Sequence, residues 1–297
     1  GLDIDLAGGG SFTGSSAGDI SAGTGQAVNI AGLDEGSIDF TSTGSITSAD
    51  NIAISAFINS ATGGDITLDL NDVTSDPTAA AVNAFSLSDT GNVTITTNGT
   101  LTGGGGVSAA LTSGTATGDV SVTTNGDILA EVIGISAFNN GSGDVTVLAT
   151  APITATTSDG VFAQTNGGNI TIETDDVTAG AEGIVASQVN AAGAGDIAIT
   201  ANGAVTGATD AIIATNAGTG GISVTTGDGL ITGSAGSAVE AVITNAASAD
   251  DIVIDIGAGG ATGTDDAVFA STVGTGDVTV TATGDISTTG GAASGIE

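Results

Sequence analysis

The amino-acid sequence predicts an all-β fold, a parallel β-helix in which one chain winds through eleven coils. A short pattern recurs along the chain, its apolar residues alternate with period 2, and turn-forming residues separate the apolar segments. The segment GDVTVTATGDI at residues 276–286 shows all three features, and GNVTITTNGTL from Gly91 and GDVSVTTNGDI from Gly118 are near copies. One such unit cannot bury its own apolar side chains, whereas stacked units form a continuous core.

Each unit starts with a short strand that places two apolar side chains, two positions apart, on its inner face. Successive units begin 25 to 36 residues apart, with a mean of 27.6. The long first step predicts an extra loop near Ala17 to Gly25, within a first coil of residues 1–37. The first apolar residues of these strands are predicted at Leu2, Ile38, Ile66, Val93, Val120, Val145, Ile170, Ile197, Ile222, Ile252 and Val278.

Two further strands complete each unit. The third strand reads apolar-x-small, as in Ile184-Val185-Ala186, and its first and last copies are Val28-Asn29-Ile30 and Ile296. Three strands in register over eleven copies, without a helix-period segment, disfavour a propeller or a sandwich. We expect residues 1–297 to form one continuous β-helix without a separate cap domain. The second strand is predicted to start at Phe12, Ile46, Val73, Leu101, Ile128, Ile153, Val177, Val205, Leu230 and Ile286, while the tenth copy has Gly260 and Ala261.

The composition excludes several classes of function. The chain carries 33 Asp and Glu residues but no Lys, Arg or His, so its net charge is −33. This charge repels nucleic acids and anionic membranes, and we expect neither as a partner. The absence of Cys excludes disulfides and thiolate metal sites. A mean hydropathy of +0.39 with evenly spaced Val and Ile argues against disorder.

The repeat resembles the passenger domains of bacterial autotransporters and the filamentous-haemagglutinin-type adhesins. The residues that carry the resemblance are the GDVTVTT-like first strand, the GDI- or GAV-like second strand and the third strand as in Gly183-Ile184-Val185-Ala186. The resemblance covers nearly the whole chain. It implies a right-handed β-helix that is secreted, exposed at the bacterial cell surface and often adhesive.

Catalysis is not predicted. Without His, Lys, Arg, Cys or Tyr, only carboxylates and hydroxyls remain as reactive groups. The carboxylate pairs are Asp175–Asp176, Asp250–Asp251 and Asp265–Asp266, but neighbouring residues of a strand point to opposite faces. We interpret these residues as turn aspartates in water and expect no enzyme.

An acidic column directly before the first strand is the candidate cation site. On a β-helix its members stack one per coil, so that Asp119 and Asp144 become neighbours, and a Ca²⁺ ion would relieve their repulsion. The alternative is that Asp and Asn suit the turn and bond their own backbone. We therefore expect no cofactor, with weak Ca²⁺ binding as the alternative. The column consists of Asp65, Asp119, Asp144, Asp196, Asp251 and Asp277.

Two outward-facing patterns are candidates for contact surfaces. The outward residue of the third strand is large and apolar at Phe162, Val185, Ile213 and Phe269, which predicts a lateral contact surface unless a loop or a bend covers it. The first strand shows Thr-x-Thr, a pattern that resembles ice-binding β-solenoids, in only two coils, at residues 94–96 and 279–281. Ice binding is therefore a minor alternative.

Both ends of the β-helix are predicted to be open. Leu2, Ile4 and Leu6 lie at one end and Ile296 at the other, so each end can continue a longer chain or stack head to tail on another copy. The sequence thus predicts a structural extracellular rod, a segment of a bacterial surface adhesin or a filament subunit that associates with itself. A Ca²⁺- or ice-binding solenoid module is the alternative.

Overall fold

The computed structural model describes residues 1–6, 10–32, 35–290 and 294–297. Their regular structure consists of 33 strands in three parallel sheets of 11 strands each, and no helix occurs in these ranges. Each strand pairs with its equivalent from the next coil rather than with its neighbour in sequence. The predicted all-β parallel solenoid of about eleven coils is therefore confirmed, while its handedness stays a prediction.

The three sheets hold the three successive strands of each coil. Sheet 1 contains β2 (Phe12–Ser16), β5 (Ile38–Ser42), β8 (Ile66–Leu70), β11 (Val93–Thr97), β14 (Val120–Thr124), β17 (Val145–Ala149), β20 (Ile170–Thr174), β23 (Ile197–Ala201), β26 (Ile222–Thr226), β29 (Ile252–Ile256) and β32 (Val278–Ala282). Sheet 2 contains β3 (Ile20–Ala22), β6 (Ile46–Ser48), β9 (Val73–Thr74), β12 (Leu101–Gly103), β15 (Ile128–Ala130), β18 (Ile153–Ala155), β21 (Val177–Ala179), β24 (Val205–Gly207), β27 (Ile231–Gly233), β30 (Ala261–Gly263) and β33 (Ile286–Thr288). Sheet 3 contains β1 (Leu2–Leu6), β4 (Val28–Gly32), β7 (Ile54–Ile58), β10 (Ala80–Ser86), β13 (Gly105–Leu111), β16 (Ile135–Asn139), β19 (Val161–Thr165), β22 (Ile184–Gln188), β25 (Ile212–Asn216), β28 (Val239–Ile243) and β31 (Val268–Thr272).

The core is a set of aliphatic columns that run along the solenoid axis. Val93 lies beside Val120, which lies beside Val145, and all three are fully buried. Alternate residues of each strand point inward, so each inner coil adds five to seven buried apolar side chains to the core. Burial therefore depends on the neighbouring coils, as expected for a solenoid.

The first coil differs from its prediction. Leu2, Ile4 and Leu6 pair with Val28, Ile30 and Gly32 in sheet 3, whereas Phe12 pairs with Ile38 in sheet 1. The residues near 17–25, predicted as an extra loop, contain strand β3, which pairs with β6 in the ordinary way. The predicted long first coil is therefore wrong, because β1 is a third strand and not a first one.

One second strand is shifted by a residue from its predicted position. Ile231, not Leu230, pairs with Val205 and is fully buried, while Leu230 is 45% exposed. In the tenth copy, Ala261 takes the same position and is buried. The core column of sheet 2 thus continues through this coil with a smaller side chain.

Glycine recurs two positions before the strands of sheet 1 because consecutive coils come very close there. A Cβ atom on Gly143 would lie 1.9 Å from the carbonyl oxygen of Gly118, and one on Gly195 would lie 1.8 Å from that of Gly168. Ten of the eleven residues in this column are glycine, and the exception is Asp250. The glycine of the repeated Gly-Asp pair therefore allows the coils to stack.

Buried amides fix the corner between sheet 3 and the next strand of sheet 1. The Asn139 side chain donates to the carbonyl oxygen of Gly118 at 2.9 Å and accepts from the N–H of Gly141 at 2.9 Å. Asn216 makes the equivalent bonds to Gly195 at 3.0 Å and from Gly218 at 2.8 Å. These bonds satisfy backbone groups at a buried turn, where an unpaired group would be costly.

Candidate functional site

The predicted acidic column forms a ladder of side-chain to backbone hydrogen bonds. Oδ1 of Asp119 accepts from the N–H of Asp144 at 2.8 Å, and Oδ1 of Asp144 accepts from that of Asn169 at 2.7 Å. The same bond joins each residue to its equivalent one coil further on, at 2.7 to 3.0 Å, from Asp65 through Asn92, Asp119, Asp144, Asn169 and Asp196 to Gly221, and again from Asp251 to Asp277. From Asp65 to Asp196, and again at Asp251, each side-chain oxygen thus satisfies a backbone donor of the next coil, rather than the backbone of its own turn.

The other two corners use aspartate in the same way. Before sheet 2, Asp176 accepts from the N–H of Ala204 at 2.7 Å. Asp19 accepts from that of Ser45 at 2.9 Å, a bond that lowers the pKa of Asp19. Before sheet 3, Asp210 accepts from the N–H of Ser237 at 2.6 Å and Asp266 from that of Ser294 at 2.9 Å. Aspartate at a corner therefore links consecutive coils.

Several of the candidate metal and catalytic residues are members of these hydrogen-bonded ladders. Within the ranges that the structure describes, no three acidic side chains converge as a metal site requires. In each adjacent pair considered for catalysis the second aspartate, namely Asp176, Asp251 or Asp266, accepts a backbone N–H of the next coil. The structure therefore gives these carboxylates a stabilising role, and Ca²⁺ binding stays a prediction.

We expect Asp119→Ala to lower the free energy of unfolding by about 1 kcal/mol, the usual net contribution of one intramolecular hydrogen bond. Asp119→Asn is the matched control, because its amide oxygen can accept the same bond, as Asn92 and Asn169 do elsewhere in the ladder. Chemical denaturation of the two variants measures the difference. Equal losses in both would show that the charge, not the hydrogen bond, matters at this position.

Calcium titration in the same assay tests the alternative role of this column. A cation that binds only the native state must raise the free energy of unfolding, by an amount that grows with the logarithm of its concentration above the dissociation constant. If the column binds Ca²⁺, the increase should be smaller in Asp119→Ala than in the parent. An identical response of the two proteins would assign the effect to general screening of the charge.

Asp159 and Glu182 form a carboxyl pair at the corner before sheet 3. The two residues are equivalents from consecutive coils, and both are half-buried. Burial and the neighbouring Glu182 carboxyl raise the pKa of Asp159 from 3.8 to about 6. A raised pKa is typical of acid–base catalysts, but in this chain the pair lacks His, Lys, Arg and Cys as possible catalytic partners.

The raised pKa predicts how this pair affects stability. The pKa of Asp159 is higher in the folded than in the unfolded chain, so the folded state holds its proton more tightly and loses stability as the pH rises from 3.8 to about 6. We expect Asp159→Asn to raise the free energy of unfolding at pH 7.5 by on the order of 1 kcal/mol, allowing for solvent screening. The gain should vanish near pH 3.5, below the pKa of both states.

Thermal unfolding at several pH values measures this difference. Asp127→Asn is the control, because Asp127 is exposed and its replacement removes one negative charge in the same way. A gain that is equal in both variants, or independent of pH, would contradict the assignment to the Asp159–Glu182 pair.

The outer face of sheet 3 contains the predicted lateral residues. Phe162 lies beside Val185, and Val185 beside Ile213, whereas Glu240 separates Ile213 from Phe269. All four apolar residues are half-buried and point away from the core. Phe162, Val185 and Ile213 are contiguous. The role of all four residues in contacts stays a prediction.

Sequence reasoning missed a second outward column on the same face. Phe57 lies beside Phe85, and Phe138 follows after the intervening Ala110. Each lies two residues after the first outward residue of its strand, which is Ser55, Asn83 or Ser136. Five of the seven phenylalanines in the chain therefore lie on this one face. We call its large side chains the apolar stripe: Phe57, Phe85, Phe138, Phe162, Val185, Ile213, Val242 and Phe269.

A groove follows the first part of the apolar stripe. It has a volume of about 360 Å³ and is lined by Phe57, Phe85 and Leu87 together with the polar side chains of Asn29, Ser55 and Asn83. Leu87 is 37% exposed. The face is therefore uneven, with large and small side chains next to each other.

Threonine dominates a different face. The outward residue of sheet 2 is Thr in eight of eleven strands, for example Thr178, Thr206 and Thr232, which are in register. Leu129 interrupts this column and is 48% exposed. Each short strand of sheet 2 contributes a single outward residue, so the column is one residue wide and lacks the Thr-x-Thr array. Ice binding stays a prediction.

The predicted end-stacking residues lie on the outermost strands. Leu2, Ile4 and Leu6 belong to β1, the first strand of sheet 3, and are half-buried. An open hollow beside them contains Phe12, whose ring stacks on Phe40 with centroids 6.3 Å apart. At the other end, Ile296 bridges to Val268 and is 51% exposed. Stacking of these ends on another copy stays a prediction.

Comparison with known proteins adds no assignment to these surfaces. Within the described ranges, the structure contains no helix long and apolar enough to cross a membrane. No protein-family model, no curated protein and no solved structure matches the chain.

Proposed function

We propose that the chain is a structural rod, a segment of an extracellular bacterial surface structure that provides length and stiffness. The observation that supports the proposal most directly is the continuity of three 11-stranded parallel sheets around one core. With about 4.8 Å between coils, the rod is about 50 Å long. A function that depends on length requires repeated coils. Here successive strands of sheet 1 begin 25 to 30 residues apart, so the coils are similar in size.

Two features of the surface suit this role. Corner aspartates link each coil to the next, which stabilises the stack along its axis. The complete absence of Lys and Arg leaves no cleavage site for trypsin-like proteases, a property that suits exposure outside a cell. The high negative charge favours solubility.

The ends support extension of the rod. The outermost strands β1, β2 and β3 present partly buried apolar side chains, and a further coil would cover them. That coil can come from the same polypeptide or from another copy, and either source lengthens the rod. An adhesive role is consistent with such a rod, since solenoids offer extended binding surfaces.

Deletion of a whole coil tests the structural role. Removal of residues 118–142 joins Thr117 to Gly143 and replaces one Gly-Asp-Val segment by the next. We expect the variant to keep its β circular dichroism and to show a maximum dimension about 5 Å shorter by small-angle X-ray scattering. A variant that unfolds, or a parent that scatters as a compact sphere, would refute the rod.

The proposed location needs a separate experiment. Antibodies raised against the chain should label intact, unpermeabilised cells of the source organism. Labelling only after permeabilisation would reject the extracellular location without affecting the rod.

A further inference from the structure

The outer face of sheet 3 follows a simple rule at its two central outward positions. From β7 to β31, every strand except β13 pairs one large apolar side chain with one small or polar side chain. In β16 the pair is Ser136 and Phe138, while in β19 the order is reversed, with Phe162 and Gln164. The large residue therefore changes column between these two strands, although the count of one per strand is kept.

The same face is free of charge over most of its length. From β4 to β25, eight consecutive strands have no Asp or Glu at the two central outward positions, in a chain with 33 acidic residues. The charged exceptions outside this stretch are Asp3 and Asp5 in β1 and Glu240 in β28. Burial and the nearby Asp210 raise the pKa of Glu240. Sheet 1, by contrast, presents Asp39, Asp69, Glu173 and Asp255 at the equivalent positions.

We propose that this uncharged, alternating face of sheet 3 binds the same face of a second copy of the chain, giving a side-by-side dimer related by a two-fold axis. The inference deepens the proposed structural role and rests on it, since it names the lateral partner of the rod. Each copy has two outward columns on this face. A two-fold axis parallel to the rod places the first column of one copy opposite the second column of the other copy, at the same level. Phe138 of one copy then meets Ser136 of the second copy, so large side chains fill the space over small ones.

Charge favours a second copy over other occupants. A cationic partner would be attracted to the acidic corners and to sheet 1, not to the uncharged stretch of sheet 3. Two copies repel each other strongly unless they meet where neither carries charge, and the outer face of sheet 3 provides such a surface.

The size of the face is adequate for a specific dimer. Eight strands span about 38 Å along the axis and five residues span about 16 Å across it, so each copy offers about 600 Å² and the pair buries about 1,200 Å². This value lies at the lower limit for stable protein–protein interfaces. The dimer is therefore expected to be weak enough to respond to salt.

Sedimentation velocity on the whole chain at 0.05 M and 0.5 M NaCl tests the proposal. We expect a monomer–dimer equilibrium whose dissociation constant falls about tenfold at the higher salt, because screening weakens the repulsion between the copies. Phe85→Ser combined with Phe138→Ser and Phe162→Ser should weaken the dimer by about tenfold or more. The matched control is Leu148→Ser with Val253→Ser, which removes outward apolar residues of sheet 1 and should leave the equilibrium unchanged.

A second variant keeps the apolar stripe and changes only the charge. Ser108→Glu places a carboxylate at the middle of the neutral face, and in the dimer it brings two carboxylates close together. We expect it to abolish dimerisation at 0.05 M NaCl while circular dichroism stays unchanged.

A parent that stays a rod-shaped monomer at millimolar concentration in both salts would overturn the dimer and leave the rod intact, pointing to a different occupant of the face. Larger polymers that persist in the triple variant would assign association to the ends. A compact particle in scattering would instead refute the rod itself.

Discussion

Gly143→Ala is expected to destabilise the chain by about 3 kcal/mol or more, the upper range for overpacking in a protein interior. The added methyl group would lie 1.9 Å from the carbonyl oxygen of Gly118, so it can be accommodated only if two coils move apart. Such a movement also weakens the ladder bond that the N–H of Asp144 donates to Asp119, and the packing of Val120 on Val145. Chemical denaturation followed by circular dichroism measures the loss, as the shift of the unfolding midpoint relative to the parent.

Asp250→Ala is the matched control for this substitution. Asp250 takes the same place in its coil as Gly143 does, so the backbone there already accommodates a Cβ atom. We expect a change within about 0.5 kcal/mol, as for ordinary surface positions. Similar losses in the two variants would mean that close contact between coils is not the reason for the glycine column.

Val122→Asp is expected to cost about 4 kcal/mol or more and to unfold the central coils, because an unpaired carboxylate cannot be buried in the apolar core. Val122 is fully buried and lies beside Ile95 and Val147 in adjacent coils. The chain has no Lys or Arg that could neutralise the new charge. Hydrogen exchange, which reports local opening, should show lost protection in β11, β14 and β17 before the ends of the rod.

Thr123→Asp tests the alternation on the same strand. Thr123 is the next residue and points outward from sheet 1. A carboxylate there stays in water, so the expected change is within about 0.5 kcal/mol. A large loss at Thr123 and none at Val122 would mean that the two faces of the strand are assigned the wrong way round.

The repeat was predictable because its physical signal is redundant. Period-2 alternation recurs in eleven copies, so errors at single positions do not change the fold. The first copy lacks this redundancy, because no coil precedes it in the sequence. The segment LDIDL fits the inward pattern of sheet 1 and of sheet 3 equally well. Only the pairing of Leu2 with Val28 assigns the segment to sheet 3. At Leu230-Ile231 two adjacent apolar residues fit the start of one strand, and burial selects the second.

The candidate surfaces were harder to predict than the core. The stacking of the acidic column follows from the repeat, but its hydrogen bond to the next coil depends on the register between coils, which the composition does not reveal. Half of the apolar stripe was missed, since a strand of sheet 3 presents two outward residues and only the first was considered. Phe57, Phe85 and Phe138 lie at the second position, and their alignment became visible only through pairing of the strands.

The aspartate ladder lacks one hydrogen bond, between the coils of β26 and β29, and we expect a mechanically weak point there. Gly221 has no side chain to accept the N–H of Asp251, and at the same level the glycine column is interrupted by Asp250. The core column of sheet 2 also has its smallest side chain in this coil, since Ala261 replaces the larger aliphatic residues of the other coils. Under a pulling force, the rod should therefore break first between β26 and β29, releasing the last two coils as one fragment while the nine before them hold.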